Sequence, residues 1–526
     1  MRARRIVTVT ALGTLTILPV SLAGAAGAAT PAPATHPVLR LLPLGPAGQR
    51  QSVQTRQLAP GVTFTTVRAG VASPRNFWTV TVGFFTGRAA AASLAAQLRA
   101  AGFPPRVERV EGRAMDDPAT GPLGYVVRTG HSEHQGAMDA LAVRLTAAGF
   151  TPSVTNTAFS GQPSTGPWVV RILDIDPSRY HGQIRSHLAT GVVPGTQTVS
   201  SLTARLHATA GINGGYFVVE PADGTVGDLA GISMRAGRLV SEAVNGRAAL
   251  ILRAAGSRPA VRRLTTRITV TAGGASRLVN GRNRAPGLIR SCGEPGDQPT
   301  ARPKHDFTCT NPDELIQFDR DFGRTADSGG GVQAVLNGDG RVLRLMRSRG
   351  GPIPAGGSVV EGIGAGARWL TGHARPGAVL RIRVMAQDVA GHRVDATPGT
   401  DIVNGGPVLV RGGRPYVDAN AEGFVQPDIP AFYYAFGVQR NPRTMAGVTA
   451  AGHLLLVTVD GRQPAYSIGL SFPEEAAVMT ALGSRDALNL DGGGSTTMAI
   501  HGHLLGRPSD STGERPVGDA IVLLPR

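Results

Sequence analysis

A duplicated segment in the first third of the chain constrains the fold most. The stretch "LAAQLRAAGF" recurs as "LAVRLTAAGF", and each copy lies between two strand-like runs. Trp78, Val80 and Val82 alternate as on one face of a strand, whereas the leucines of the repeated stretch recur at helical spacing. Gly102 and Gly149 follow the two helices, as C-terminal glycines commonly do. The sequence therefore predicts a βαββαβ unit, with two helices on one face of a four-stranded sheet.

This unit resembles the sporulation-related repeat (SPOR) domain over about residues 75–158. Members of that family bind peptidoglycan glycan strands that lack stem peptides, so the resemblance implies such strands as a partner. Two positions depart from the family pattern, because Thr81 stands where Gln is frequent and Phe84 where Ser is frequent. The alternative is a packing module that shares the architecture and binds no glycan.

The charge of the chain is strongly positive. The formal net charge is +17, and it comes almost entirely from arginine because Lys304 is the only lysine among 526 residues. A basic surface could attract anionic polymers. The other interpretation is codon bias in a GC-rich genome, which replaces Lys with Arg. The arginines are scattered and form no nucleic-acid-binding motif, so codon bias is favoured and no nucleic-acid partner is expected.

The N-terminal segment has the pattern of an export signal. Three early arginines precede an apolar run, and small residues near Ala23–Ala28 offer a cleavage site, so residues 1–29 are predicted to be a signal peptide. Residues 30–56, rich in Pro, Ala and Gln, are predicted to be a linker. No other stretch approaches about 18 apolar residues. A secreted or cell-wall-associated protein without a membrane span after signal cleavage is therefore expected.

Cys292 and Cys309 are the only cysteines, and they flank a Pro-rich loop. In an exported chain, two cysteines in this arrangement indicate one disulfide. A metal or redox site would need more ligands than the loop contains.

The long remainder reads as short strands with Gly-rich turns. "LNGDGR", "VDGR" and "HGH" are hairpin signals, and helices are predicted near "TVSSLTARLHA" and in "SFPEEAAVMTALGS". The second helix opens with Ser471 and Glu474 as a capping box and with Pro473 in its first turn. Glu474 and Glu475 are therefore interpreted as acids at a helix start and not as catalytic residues.

Four polar segments are bracketed by glycines: "GINGGYF", "DIVNGGPVLVRGG", "NPRTMAGV" and "NLDGGGSTTM". Glycine permits positive φ and lets backbone N–H groups approach an anion closely. One such segment alone would be read as a tight turn between strands. Four segments of the same character favour a binding site.

These segments, with "VTVDGR" and "RPVGDAIVLL", resemble the phosphodiester glycosidase family, which includes the enzyme that removes N-acetylglucosamine from mannose phosphodiesters. The resemblance implies an α+β fold with a mixed sheet and cleavage of an α-glycosidic phosphodiester. It begins in "LAPGVTFTTVRAG", so residues 57–74 are predicted to supply the first strand of a catalytic domain that continues over 159–526. The SPOR-like unit is thus predicted to be an insertion in that domain.

The implied reaction assigns roles to individual residues. A phosphate leaving group needs positive charge, for which Arg443 and the amides of the triple glycine are candidates. The oxocarbenium-like transition state needs a carboxylate, with Asp491 as the first candidate and Asp460 as the second. Asn213 and Asn404 are predicted to hold sugar hydroxyls or a cation. The full set of predicted substrate-binding residues is Asn213, Gly214, Gly215, Asn404, Gly405, Gly492, Gly493, Gly494 and Ser495.

Other catalytic classes lack their motifs. "DSGGG" is found without the histidine segment of trypsin-like proteases, and no G-x-S-x-G elbow occurs. No cofactor is expected with certainty; a calcium ion could bind among the acids, although no EF-hand loop is present. The alternative from a different class is a non-catalytic wall-binding protein in which both parts only hold glycans.

Overall fold

The computed structural model describes most of the chain after the N-terminal 40 residues. The predicted signal peptide lies outside the described part, as do residues 30–40 of the predicted linker. No helix in the described part is long and apolar enough to cross a membrane. The described ranges are 41–254, 257–292, 296–298, 308–426 and 429–526.

A strand pair and the predicted βαββαβ unit come first. The unit has the expected order, and its sheet runs β4-β5-β3-β6 with both helices packed on one apolar face. The elements are β1 (Gln51–Ala59), β2 (Val62–Ala69), β3 (Trp78–Phe85), α1 (Arg88–Ala100), β4 (Pro105–Val110), β5 (Gly124–Ser132), α2 (Gln135–Ala147) and β6 (Ser153–Asn156).

Eleven further elements lead to the cysteine loop. They are β7 (Trp168–Ile175), β8 (Gln183–Leu188), α3 (Val199–Arg205), β9 (Ala210–Asn213), β10 (Ser233–Arg235), β11 (Arg238–Ser241), β12 (Arg247–Leu252), β13 (Ala260–Ala272), β14 (Ala275–Val279), β15 (Gly281–Arg282) and β16 (Leu288–Arg290).

The elements after the cysteine loop are β17 (Thr308–Thr310), β18 (Leu315–Phe318), β19 (Gly329–Leu336), β20 (Val342–Arg349), β21 (Ser358–Gly362), α4 (Gly364–His373), β22 (Arg381–Asp388), β23 (Asp401–Asn404), β24 (Val408–Arg411) and β25 (Arg414–Pro415). The C-terminal elements are α5 (Pro430–Tyr433), a π-helical turn (Tyr434–Val438), β26 (Arg443–Thr449), β27 (Leu454–Val459), α6 (Phe472–Ala481), β28 (Ser484–Asn489), β29 (Met498–Ile500), β30 (His503–Leu505) and β31 (Asp519–Leu524).

The SPOR-like unit interrupts a continuous sheet. Strands β1 and β2, before the unit, join β7, after it, in an eight-stranded sheet of order β1-β2-β7-β27-β26-β28-β24-β25. Val62 pairs with Ile175 and Ala69 with Trp168, so β2 and β7 run antiparallel along their whole length. The predicted linker ends too late, because residues 51–56 belong to β1 and pair with β2.

Three sheets enclose the main core. The eight-stranded sheet packs with the sheet β11-β10-β23-β12-β13-β14 and with the sheet β30-β29-β9-β31-β8. Near-continuous apolar runs such as "LLLVTV" in β27 are typical of strands covered on both faces. The second core joins α4 to the sheet β15-β18-β21-β19-β20. One parallel pair, β15 with β18, makes the fold mixed-sheet α+β, as predicted.

Most of the turns and helix starts predicted from local sequence signals are confirmed, and one hairpin is wrong. "LNGDGR" joins the antiparallel strands β19 and β20, and "HGH" turns between β29 and β30, as predicted. Helix α6 begins with the predicted capping box of Ser471 and Glu474. The "VDGR" prediction is wrong as a strand-to-strand hairpin, because the chain after β27 enters a loop and α6 follows. Arg462 of this loop has a φ of +58°.

Cys292 and Cys309 form the predicted disulfide, with 5.8 Å between their Cα atoms. The bond joins the end of β16 to β17, and these strands pair through Ile289 and Cys309. Both cysteines are buried with Ile289 in a small cluster of their own. The disulfide therefore closes a local loop and lies outside the three-sheet core.

Candidate active site

The triple-glycine loop follows β28, a central strand of the eight-stranded sheet. Leu490 still bonds to Thr444 of β26 through its backbone, and Asp491 is the first residue beyond the sheet. Gly493–Ser495 then form a short 3₁₀ turn before β29 begins in a different sheet. The loop thus crosses from one sheet to another, which places Asp491 where the core opens to solvent. Asp491 is partly exposed.

Asn213 fixes this loop from the neighbouring β9. Its side-chain oxygen accepts hydrogen bonds from Thr444 Oγ1 at 2.7 Å and from the Thr497 amide at 3.1 Å. Its Nδ2 donates to the carbonyl of Asp491 at 2.8 Å. Asn213 is fully buried. These bonds hold the carbonyl of Asp491 in place and leave its carboxylate toward the opening, so Asn213 supports the site instead of binding a sugar as predicted.

A second carboxylate, Asp519, lies beside Asp491. It was not predicted from the sequence as a site residue. Its Oδ1 accepts the Gly215 amide at 2.9 Å, while Oδ2 is buried without a hydrogen-bond partner among the described residues. Burial raises the pKa of Asp519 to about 7, and the negative charge of Asp491 adds to this increase. The sequence signal for Asp519 was its position directly before the apolar run of "DAIVLL", just as Asp491 directly follows the apolar run "ALNL".

Asp519 makes a pH dependence of stability testable. The folded-state pKa of about 7 exceeds the unfolded value of about 3.9, so the folded state binds more protons between these limits. The free energy of unfolding should therefore fall as pH rises from about 4 to about 7. The slope of the free energy of unfolding against pH measures how many more protons the folded state binds. Asp519→Asn should reduce that number by up to about one, as measured by urea unfolding at several pH values. A folded variant with an unchanged slope would contradict this assignment.

Two of the three glycine amides are already used inside the loop. The Gly492 amide donates to Oδ1 of Asp491 at 2.9 Å, and the Gly493 amide donates to the carbonyl of Pro442 at 2.9 Å. The loop in this conformation therefore does not offer an anion the three free amides that the sequence predicted. The Gly492 bond instead orients the Asp491 carboxylate, which a rigid active site requires.

Two arginines lie against the loop and supply the positive charge. A β-carbon at Gly493 would lie 3.4 Å from Nη2 of Arg462, and one at Gly494 would overlap the Arg515 guanidinium. Arg462 is exposed and donates to Oδ1 of Asn441, while Arg515 pairs with Asp510 at 2.7 Å. Glycine is needed at Gly494 because a side chain there would displace the Arg515 guanidinium and Asp510, and at Gly493 because its φ of +60° disfavours any other residue.

Asn404, Gly214, Gly215 and Gly405 form the packed floor of the site. Asn404 Oδ1 accepts the Tyr216 amide at 2.9 Å, and Gly214 donates through its amide to the carbonyl of Asp519. A β-carbon at Gly215 would lie 2.5 Å from the Asn404 side chain, and one at Gly405 would lie 2.6 Å from the Asn489 carbonyl. The predicted substrate contacts of these residues are replaced by close packing that holds the loop "INGGYF".

Asn489 and Tyr216 are further polar groups in this floor that sequence reasoning did not select. Asn489 Nδ2 donates to Tyr216 Oη at 2.7 Å, and Tyr216 Oη donates to the carbonyl of Gly406 at 2.7 Å. The Asn489 Oδ1 atom is buried without a hydrogen-bond partner in the described part of the chain. A buried acceptor of this kind is unfavourable by about 1–3 kcal/mol unless a ligand or water donates to it.

Arg443 points away from the opening and into the protein. Its Nε lies 2.9 Å from Glu475 Oε1 and donates to the carbonyl of Leu470, while Nη2 donates to the carbonyl of Phe436. Both charged side chains are buried, and burial raises the pKa of Glu475 to about 8 although Arg443 lowers it. The prediction that Arg443 binds the phosphate directly is therefore corrected, because its contacts lie behind the site and support the loop. Glu475 is a buried ion-pair partner in addition to a residue of the first helical turn.

Asp460 and Ser495 take structural positions. Asp460 Oδ1 forms an ion pair with Arg171 at 2.9 Å, and Oδ2 accepts the Arg507 amide. The Ser495 hydroxyl is buried without a hydrogen-bond partner among the described residues. The predicted calcium ion gains no support from the donor set, since no three His, Cys, Asp or Glu side chains in the described ranges gather as metal ligands.

The comparisons with known proteins agree with this architecture. The phosphodiester glycosidase family matches residues 330–524, and the SPOR domain family matches residues 74–156. A crystal structure of a Burkholderia pseudomallei protein, described only as a candidate exported protein, shares 38% identity, with a TM-score of 0.85. The match covers 92% of this chain and 98% of that chain. The chain therefore carries a phosphodiester glycosidase domain over residues 330–524 and a SPOR domain over residues 74–156.

More distant structures are also similar. A hypothetical protein from Synechocystis shares the fold at 18% identity and a TM-score of 0.54, covering 91% of this chain and 81% of that chain. The catalytic domain of zebrafish N-acetylglucosamine-1-phosphodiester α-N-acetylglucosaminidase, auto-inhibited by its pro-peptide, matches with 13% identity and a TM-score of 0.33. That match covers 80% of this chain and 88% of that chain. Among curated proteins no match is found.

Proposed function

We propose that the protein is an extracytoplasmic hydrolase that cleaves a sugar-1-phosphodiester at its anomeric carbon. One observation carries this proposal: the partly exposed Asp491 begins the glycine loop whose Gly493 and Gly494 lie against the guanidinium groups of Arg462 and Arg515. Cleavage of such a bond needs a carboxylate at the sugar carbon and positive charge at the departing phosphate. Family membership supports the same reaction class.

Asp491 is proposed to act at the anomeric carbon, as nucleophile or as base for water. Its Oδ1 is oriented by the Gly492 amide, and its backbone by Asn213. Arg462 and Arg515 are proposed to bind the phosphate, whose negative charge increases as the bond breaks. Because phosphate is a good leaving group, no general acid is required on that side.

The SPOR domain is proposed to hold the enzyme on peptidoglycan glycan strands, with export by the N-terminal segment placing it in the envelope. We also propose domain limits of 57–74 and 159–526 for the glycosidase part, extended by β1, with the SPOR domain at 75–158. The alternative of a wall-binding protein without catalysis does not explain why a partly exposed acid begins a glycine loop that lies against two arginines.

The test is hydrolysis of methyl α-N-acetylglucosaminyl phosphate, followed as phosphate monoester release, in the intact chain and in Gly493→Ala. Gly493 has a φ of +60°, and its added β-carbon would contact Arg462. Strain at such a position is of order 1–3 kcal/mol. We expect the variant to fold and kcat/KM to fall at least about tenfold, which corresponds to about 1.4 kcal/mol, because the strained turn shifts the loop and the methyl group takes up space beside Arg462 where the phosphate is proposed to bind.

Gly483→Ala is the matched control. Gly483 has a φ of +84° and no atom within 4 Å of an added β-carbon, so it shares the backbone strain but lies after α6 without a neighbour. Its turnover should match the unsubstituted protein. Equal losses in both variants, or no turnover by the unsubstituted chain on this and related sugar phosphodiesters, would contradict the proposed function.

A further inference from the structure

The open face of the SPOR sheet is contacted by the glycosidase part of the chain. On the face opposite the two helices, Arg128 Nη2 donates to Tyr434 Oη at 2.7 Å, and the Phe84 ring stacks on Tyr434 with 4.8 Å between centroids. Arg128 and Tyr434 are both buried. A glycan strand therefore cannot cover this face in full while the contact persists.

Two further contacts hold the SPOR domain in this position. Arg440 donates to the carbonyls of Ala158 and Gln162 at 2.9 and 2.7 Å. On the other side, both oxygens of Asp116 accept backbone amides from Asn420 and Ala421 at 2.9 and 2.7 Å. Hydrogen bonds at two separated points, together with the Tyr434 stack, oppose rotation of the domain about its connections.

A cleft of about 650 Å³ remains between the SPOR sheet and the glycosidase part. This volume lies within the usual range for ligand sites. The SPOR wall presents Phe84 and the hydroxyls of Ser153 and Thr155, and the opposite wall presents Gln439 and Asn441. Sugar rings need such a combination, because their C–H faces pack on aromatic rings while their hydroxyls need hydrogen-bonding groups.

Arg462 connects this cleft to the catalytic loop. It lines the cleft together with Asn441, whose Oδ1 accepts its hydrogen bonds, and its Nη2 is the atom that a β-carbon at Gly493 would approach at 3.4 Å. Ser509 lines the same wall, next to Asp510, the partner of Arg515. A glycan in the cleft would thus lie against the residues proposed to bind the phosphate.

We propose that the SPOR domain is a wall of the active-site cleft, and that the substrate is a glycan strand that itself bears the sugar-1-phosphodiester. This inference rests on the proposed function. The strand lies between Ser153 and Asn441, and its phosphodiester reaches Arg462. Water adds its oxygen to the anomeric carbon, and the bond from that carbon to the phosphate oxygen breaks. The water molecule loses one proton and becomes the hydroxyl at that carbon. The phosphate stays on the strand as a monoester, and a free sugar or sugar-terminated polymer leaves.

The test compares two substrates with the full chain. One is methyl α-N-acetylglucosaminyl phosphate, and the other is amidase-treated wall glycan to which a polymer is still joined through a sugar-1-phosphodiester. We expect kcat/KM to be at least tenfold higher for the strand-borne diester. Ser153→Leu, which fills the cleft from an exposed edge-strand position, should abolish that preference. Val143→Ala, at a 71%-exposed position on α2, should retain it.

Direct binding separates failure of this inference from failure of the proposed function. Fluorescently labelled, amidase-treated glycan strands should bind the full chain, and Ser153→Leu should weaken this binding at least tenfold while Val143→Ala does not. Loss of binding in Ser153→Leu would support the cleft even if neither diester is hydrolysed, an outcome that overturns only the proposed reaction. Equal binding by Ser153→Leu and the unsubstituted chain, or equal kcat/KM for the two substrates, would overturn the inference.

Discussion

Replacing Asp491 with asparagine is expected to lower kcat on a sugar phosphodiester by roughly 10³-fold or more, with little change in KM. The substitution keeps the shape of the side chain and an oxygen that can accept the Gly492 amide bond. Asn213 bonds to the carbonyl of residue 491 and is unaffected. The variant should therefore fold normally and lose only the negative charge that stabilises the oxocarbenium-like centre. Steady-state kinetics with a thermal unfolding curve would measure both effects.

Asp460→Asn is the informative comparison for this result. Asp460 was the second carboxylate predicted from the sequence, but it is buried in an ion pair with Arg171. Its substitution should lower stability and leave kcat of the folded fraction much closer to that of the unsubstituted protein. Near-normal turnover in folded Asp491→Asn, combined with a large loss in folded Asp460→Asn, would reverse the two assignments.

Arg443→Met should produce the largest loss of stability in the site, about 3–5 kcal/mol in the free energy of unfolding. The substitution leaves Glu475 buried without its partner 2.9 Å away, and also removes the side-chain donor of the Phe436 carbonyl. The pKa of Glu475 is already about 8, and loss of the neighbouring positive charge should raise it further. Urea unfolding at about pH 9, where Glu475 is mostly ionised in the unsubstituted protein, is the measurement.

The double variant Arg443→Met with Glu475→Met provides the control. Replacing both charges of a buried pair by apolar groups is often neutral for stability, so most of the lost stability should return. Turnover that returns with stability would identify Arg443 as a support for the loop. A stable double variant without turnover would restore the direct phosphate contact predicted from the sequence. A single Arg443→Met variant with unchanged stability would contradict the ion-pair assignment.

The parts of the fold that could be predicted are those with a local signal. The repeat of "LAAQLRAAGF" predicts the SPOR helices because each copy carries its own periodicity and terminal glycine. The capping box of Ser471 and Glu474 predicts where α6 begins for the same reason. Sheet order has no such signal. Pairing of β2 with β7, about 100 residues later, depends on long-range packing. β1 pairs with β2 across a short turn, but its side chains are mostly polar and exposed, so the extent of the linker was misjudged.

The residues of the candidate site also divide into those with a local sequence signal and those without one. Asp491 and the triple glycine could be selected because an acid at a strand end beside glycines is visible in one segment. The direction of a side chain is not visible in this way. Arg443 begins β26 with its side chain turned toward α6, while Thr444 faces Asn213. Arg462 and Asp519 reach the site from loops and strands of other segments, and only the folded chain brings them to the glycines.

The position of bond cleavage tests the central claim most directly. The full chain would be incubated with methyl α-N-acetylglucosaminyl phosphate in H₂¹⁸O, and both products would be analysed by mass spectrometry. If Asp491 directs water to the anomeric carbon, ¹⁸O appears at C1 of the released sugar and is absent from the phosphate monoester. Incorporation of ¹⁸O into the phosphate would show attack at phosphorus and would contradict the assignment of this site as a phosphodiester glycosidase.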